Sequence, residues 1–286
     1  MRPKAQRFDP RQNMQGDSFE VFHYLDIKTR HMEAHYHDFY EIFYFLDGEV
    51  DYWVDGTVYH LRSGDILLIS PAELHKPIPL SDTADYERIV LWINKSYLSE
   101  IENGIFEGCF DEKRISHKKI LRLSSLQKKE MLDLFYKFLH EYSSSDFASE
   151  ISSYGILLQI LTEINRLSLQ KGDNTGEKYR TPTFIAEVLA YIGEHTSEEL
   201  SLTRLSKHFF VSKYYLSHEF SKTVGTSVHR YIMLKRLNNA YDLLLDGSAA
   251  AEAAHRCGFS DYTSFYRAFK SEYGVSPAAV RKQSNI

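Results

Sequence analysis

Residues able to carry chemistry gather first near the start of the chain. His35, His37 and Glu41 stand in the run His35-Tyr36-His37-Asp38-Phe39-Tyr40-Glu41, and His75 follows Pro71. Imidazole nitrogens with a carboxylate make a donor set for a divalent cation with open positions. The same groups hydrogen-bond the hydroxyls of a polar small molecule. On a strand, His35, His37 and Glu41 share parity and would project to one face. Arg88 and Trp92 share parity on a later run, as do Tyr40, Ile42 and Tyr44 on an earlier one. Aromatic walls with a few polar groups suit sugars and similar rings, while plain core is the simpler account of any single aromatic. Metal ligation, effector contact and a purely structural role all stay open for the histidines. His23, His31, His60, His117 and His140 lie in no motif and read as surface or turn positions.

A second concentration lies in the last hundred residues, which repeat at an offset of 49: Leu216, Phe220, Gly225 and Ser227 recur as Phe265, Phe269, Gly274 and Ser276. A repeated sequence is a repeated fold element, and each copy reads as helix, short turn, helix. Leu202, Leu205 and Phe209 line the first short helix. Phe210-Val211 makes the turn, and Ser212 is the N-cap of the next helix. In the second copy the short helix spans 250–257, Gly258 is at a C-cap position and Asp261 is near the next N-cap. The following helices put Leu216, Phe220 and Val224, or Phe265, Phe269 and Tyr273, on one face. The opposite faces carry Tyr214, Ser217, His218 and Ser221, or Thr263, Ser264, Arg267 and Lys270. Hydroxyls, His, Arg and Lys without a carboxylate in the stripe donate to phosphates and base edges. One such face could be merely solvated; two in tandem argue against that. A helix of about nineteen residues, 227–245, joins the copies and measures roughly 28 Å. That approaches the roughly 34 Å between successive major grooves on one face of DNA.

The elements that must position these groups follow from periodicity. The chain has 286 residues, enough for two domains. At 43% hydrophobic and 26% charged it is neither disordered nor disulfide-rich. Runs such as Glu41-Ile42-Phe43-Tyr44-Phe45-Leu46 and Val50-Asp51-Tyr52-Trp53-Val54, punctuated by Asp47-Gly48, Asp55-Gly56 and Ser63-Gly64-Asp65, predict a β-sandwich or barrel over about 19–93. Met131, Leu134, Phe135, Phe138, Leu139 and Tyr142 then make one helical stripe. Ile151, Tyr154, Leu157, Leu158, Leu161 and Ile164 make another, widened by Ile156 and Ile160, so the second helix should meet more than one surface. The polar stretch 171–181 reads as a linker. Net charge is −5, yet residues 182–286 carry 12 Lys+Arg against 10 Asp+Glu, so an anionic partner is expected at that end. No apolar run approaches the roughly 20 residues that span a bilayer. No apolar h-region follows Met1, so no signal peptide is expected. Cys109 and Cys257 are far apart, which fits a reducing cytoplasm.

The segment from Pro182 to Gln283 resembles the AraC/XylS family DNA-binding domain, above all in Gly258-Phe259-x-Asp261-x-x-x-Phe265-x-Arg267-x-Phe269-Lys270. The resemblance implies two helix-turn-helix units bridged by a long helix, with both recognition helices in major grooves of double-stranded promoter DNA. Its contact positions correspond to Tyr214, Ser217 and His218 in the first unit and to Thr263, Ser264 and Arg267 in the second; Ser212, Lys213 and Lys270 are expected to join them at the DNA. Two departures stand out: His218 replaces a long basic or amide side chain, and Ala250 and Ala253 replace Ile. Residues 19–93 resemble the cupin barrel through His35-x-His37-x-x-x-Glu41, Gly48, Gly56, Gly64 and His75, with Arg62 where cupins have Pro.

Together the resemblances imply an α+β chain. Its parts would be a cupin-like effector-sensing domain (1–123), a helical pair that dimerises (124–170), a linker (171–181) and an AraC-type DNA-binding domain (182–286). The implied function is a cytoplasmic transcription regulator, an activator on family grounds, that contacts RNA polymerase and answers to a small polar effector. That effector, a sugar by preference, would be held by His35, His37, Glu41, His75, Arg88 and Trp92. No cofactor is expected; a divalent metal on His35, His37, Glu41 and His75 is the alternative ligand. The competing class is a metal-dependent cupin isomerase or dioxygenase fused to a DNA-binding module.

Overall fold

Alternation of period two builds the first part of the chain into strands. They are β1 (Phe19–Asp26), β2 (Tyr40–Asp47), β3 (Val50–Val54), β4 (Thr57–His60), β5 (Asp65–Ile69), β6 (His75–Pro79) and β7 (Tyr86–Ile93). There follow α1 (Lys95–Glu100), a 3₁₀ stretch Ile101–Cys109, β8 (Ile120–Arg122), α2 (Ser125–Ser143), α3 (Ser149–Leu169) and β9 (Lys178–Tyr179). The computed structural model describes residues 3–6, 8, 13–27, 34–81, 83–111, 118–170, 178–179 and 184–283. They form two units, whose main bodies end at Tyr179 and begin at Arg180. The expected linker, residues 178–179 apart, lies outside the described residues, as do His31 and His117.

Two sheets make the first unit, ordered β1-β7-β2-β5-β8 and β6-β3-β4-β9. The register Tyr24↔Arg88, Phe22↔Val90 and Glu20↔Trp92 between β1 and β7, and Glu41↔Trp92 and Phe43↔Val90 between β2 and β7, sorts side chains by face. One face carries Tyr40, Ile42, Tyr44, Ile66, Leu68, Ile89, Leu91 and Ile93. It packs against Met131, Phe135 and Phe138 of α2 and Ile156, Leu157, Ile160, Leu161 and Ile164 of α3. Tyr40, Ile42 and Tyr44 therefore belong to the sheet–helix core and line no polar interior; the Tyr44 hydroxyl donates to Lys128 O at 3.0 Å. A capping box starts α2: Ser124 accepts from Gln127 N, and the Gln127 side chain accepts from Ser124 N. The stripe expected on α3 shifts toward Ile156 and Ile160, and Ile151 is left 73% exposed. Gly48 has φ +134°, and a Cβ there would lie 2.9 Å from Asp85 O, so the β2–β3 turn needs glycine.

The described elements after Arg180 are all helices: α4 (Phe184–Glu194), α5 (Leu202–His208), α6 (Lys213–Val224), α7 (Val228–Leu245), α8 (Ala250–Arg256), α9 (Tyr262–Tyr273) and α10 (Pro277–Gln283). Ser212, Ser227 and Asp261 cap α6, α7 and α9 by accepting from Tyr215 N, Arg230 N and Ser264 N. Leu216, Phe220, Val224, Phe265 and Phe269 are buried, as their spacing requires. Ala253 is fully buried, and Ala250 is partly buried beside it. Both belong to a cluster with Tyr241, Phe269 and Tyr273, in which Tyr241 stacks on Phe269 at 5.8 Å and meets Tyr273 at 4.8 Å. Burial among them pushes the Cys257 thiol up to about 11, so it packs as a small apolar group. Arg236 of α7 donates to Thr196 O and Glu198 O, tying the segment after α4 to the long helix.

Candidate ligand and nucleic-acid interfaces

The other face of the first unit's larger sheet is aromatic with a few charges. Phe22 and Phe39 pack on Trp92 at 4.9 and 4.7 Å, Phe43 on Tyr52 at 4.9 Å, and Tyr52 is stacked on His75 at 6.2 Å. Trp92 Nε1 donates to Glu41 Oε2 at 2.8 Å across the β2–β7 register. His75 Nδ1 lies 2.8 Å from Glu73 O. A carbonyl only accepts, so Nδ1 carries the proton and Nε2 is the atom able to bind a donor or a cation.

The parity expected of His35, His37 and Glu41 does not hold, because β2 begins only at Tyr40. His35 and His37 lie ahead of the strand, in a segment that groups with the second unit. His35 is half-buried, its ring 6.4 Å from His37.

Arg88 is 2% exposed. Its guanidinium lies 4.1 Å from the Tyr86 ring centre and 5.1 Å from those of Tyr24 and Phe8. Nη1 donates to Asp26 Oδ2 at 2.6 Å. Among the described residues, Arg88 Nη2 and the buried Tyr86 hydroxyl have no hydrogen-bond partner. Burial holds the phenols of Tyr52 and Tyr86 far above the ordinary tyrosine range, so both stay hydrogen-bond donors. The interior therefore offers acceptors at Glu41 and donors at Arg88, Tyr86 and Tyr52, between aromatic walls. Sequence reasoning did not single out Tyr86 or Asp26. Tyr86 shares the parity of Arg88 and was within reach; Asp26 becomes visible only through the β1–β7 register.

His23 corrects a further expectation. It is buried on the helix-facing side of β1, with Nε2 2.5 Å from Glu87 Oε1 and its ring 5.9 Å from Tyr136. His60, half-buried, meets Asp51 at 2.7 Å, and His140 is exposed.

In the second unit, Ser212, Lys213, Tyr214, His218, Thr263, Ser264, Arg267 and Lys270 are exposed and Ser217 is half-buried. Tyr214 and His218 stack at 6.1 Å, and His218 Nδ1 is 3.2 Å from Glu219. Among the described residues Lys213, Lys222, Arg267 and Lys270 make no ion pair, so their charge is available to an anionic partner. Asp261 is spent on its cap: the Ser264 N–H, 2.7 Å away, holds its carboxyl below the usual range.

Comparison with known proteins gives each unit a counterpart. Residues 20–161 match the family described as the AraC-like ligand binding domain, and residues 205–283 match a helix-turn-helix domain family. The chain is similar to the uncharacterized HTH-type transcriptional regulator YfiF of Bacillus subtilis (strain 168), 28% identical over 272 residues, covering 92% of this chain and 83% of that protein. It is similar to the HTH-type transcriptional activator RhaS of Escherichia coli O139:H28, 24% identical over 255 residues and 87% of each chain. Among solved structures, the DNA-binding domain of AdpA in complex with a target DNA is 28% identical, covering 34% of this chain and 88% of that one, with a TM-score of 0.33. No helix among the described residues is long and apolar enough to cross a membrane.

Proposed function

The chain belongs to the AraC family of transcriptional regulators, with an AraC-like ligand-binding domain ahead of its helix-turn-helix domain, and from that premise we propose that it is an activator switched by a small carbohydrate-like effector. The observation that carries the effector class is the buried set Glu41, His75 and Arg88 among Phe43, Tyr52, Tyr86 and Trp92. Acceptors and donors set among aromatic rings match a polyhydroxylated ring. Effector binding would shift the population of arrangements in which the DNA-binding domain meets promoter DNA and RNA polymerase. The division into sensor (1–123), helical pair (124–170), linker (171–181) and DNA-binding domain (182–286), and action in the cytoplasm, belong to this reading. The activator role is supported by the name that RhaS carries. The relatives are regulators, so the fused-enzyme alternative is set aside.

Glu41→Ala or His37→Ala should abolish induction and leave basal DNA binding intact. A reporter titrated with aldoses, together with a gel shift, reads both; normal induction by either variant removes that residue from the site. A divalent cation with Glu41 and His75 among its ligands is the second reading, favoured by the His75 Nδ1 contact with Glu73 O, which makes Nε2 the ligating atom. Near-stoichiometric metal in purified protein would select it.

Dimerisation is proposed through α2 and α3. Ile151, Phe147, Leu126 and Leu169 are exposed there, and an open groove lined by Met131, Leu134, Leu158 and Leu167 runs between the helices. The full chain should sediment as a dimer at micromolar concentration, and Ile151→Glu with Leu158→Glu should shift it to monomer. A wild-type monomer counts against the proposal.

A further inference from the structure

The two helix-turn-helix units close their first helices in the same way, with one difference. In the second unit, Cys257 N donates to Ala253 O at 3.0 Å and Phe259 N to Ala254 O at 3.1 Å, around Gly258 at φ +81°. In the first, Phe209 N donates to Leu205 O and Val211 N to Ser206 O, both at 3.0 Å, around Phe210 at φ +54°. The left-handed position filled by glycine in one unit is filled by phenylalanine in the other, where the Cβ makes that conformation unfavourable.

The Phe210 side chain projects into solvent. It is 95% exposed, and among the described residues its ring touches no other ring. Its neighbour Phe209 packs on Phe184 at 5.8 Å and Tyr191 at 5.7 Å, and Phe259 of the second unit packs on Phe265 at 5.0 Å. Strained backbone positions cluster at binding sites, and here one coincides with an exposed aromatic ring. Four residues on, Tyr214 is 82% exposed on the outward face of α6, which also carries Ser217, His218 and Ser221. Lys213 and Lys222 flank that face without ion pairs among the described residues, and the nearby carboxylate of Glu219 is engaged by His218. Two exposed aromatic rings, one in the turn and one on the helix, thus accompany hydroxyls and an imidazole on a face bordered by cations.

We infer that Phe210 and Tyr214 are specificity-determining residues that read thymine methyl groups, so that the first unit selects a T-rich half-site. The inference rests on the reading that both units face DNA. Cations at the border match phosphates, and the one apolar group that base edges present in the major groove is the thymine methyl. The second unit offers Thr263, Ser264 and Arg267, of which Arg267 suits guanine. One protomer would then recognise a non-palindromic site, methyl-read at one end and guanine-read at the other.

The test begins with selection of binding sites from random duplex DNA by the full chain. Each thymine of the selected site is then replaced by deoxyuridine, which removes only the methyl group. Wild type should lose about three- to tenfold in affinity at two or more thymines of one half-site. Phe210→Gly and Tyr214→Ala should bind the unmodified site correspondingly more weakly and be indifferent to those replacements. The thermal midpoint of Phe210→Gly should not fall, because glycine suits the left-handed position. Deoxyuridine without effect, unchanged affinity of both variants, or a lowered midpoint for Phe210→Gly each overturns the inference. Unchanged DNA binding with lost transcription does so too, by placing the contact on a protein such as the polymerase. Failure of selection, or an Arg267→Ala variant that binds normally, would bring down the underlying DNA-facing reading; methyl-independent binding that still needs Arg267 would bring down this inference alone.

Discussion

Gly258→Ala is expected to destabilise the C-terminal unit by about 2–4 kcal/mol, a large part of the stability of a small domain. Two costs combine. At φ +81° an alanine pays the left-handed penalty of about 1–2 kcal/mol. Its Cβ would also stand 2.7 Å from Ser197 O and 3.0 Å from Ser197 C, which are backbone atoms and cannot rotate away. The segment they belong to is pinned, because Arg236 holds the flanking carbonyls of Thr196 and Glu198. Urea or thermal denaturation followed by circular dichroism should show the loss, and DNA binding should fail at temperatures where wild type binds. An unchanged midpoint would mean that the 196–198 segment yields.

Arg267→Ala is expected to cost at least tenfold in operator affinity while the thermal midpoint stays where it was. The side chain is exposed between two fully buried anchors, Phe265 and Phe269, so truncation removes no packing. Its i±3 and i±4 neighbours are Thr263, Ser264, Lys270 and Ser271, none of them acidic. Bidentate contact with a guanine edge is worth about 1–3 kcal/mol of discrimination. A phosphate contact would instead weaken all sequences alike and lower the salt slope by about one. Binding measured across 50–200 mM salt on matched and scrambled sites separates the two; an unaltered affinity would show that α9 does not face DNA.

The helical half was legible because its signals are local. Leu216, Phe220 and Val224 recur at helix spacing, Ser212 and Asp261 are capping types, and all behave as read. The left-handed turn was legible at Gly258 and hidden at Phe210, since a phenylalanine gives no hint that its backbone is left-handed. The sensor half depended on non-local facts. Parity along His35, His37 and Glu41 assumed a strand that starts five residues too early, and only pairing with β7 and β5 fixes where β2 begins. His23 looked like a surface residue because its partner Glu87 is brought to it by the return of a strand more than sixty residues later. The polar interior could be named through Arg88 and Trp92, but not Asp26, whose role exists only once β1 lies beside β7.

The two helix-turn-helix units are not the same length between cap and cap. From Phe209 to Ser212 there are two intervening residues; from Cys257 to Asp261 there are three, the added one falling at Ser260. The repeat is therefore 48 residues for the supporting helices and 49 for the helices that follow. One residue turns a helix by about 100°, so a graft cut in the turn and aligned on either count misaligns the other helix. The two readers are not interchangeable cassettes. Re-addressing this regulator to a new promoter has to proceed by exchanging side chains on α6 and α9 in place, and a duplicate of either unit could not simply be substituted for the other.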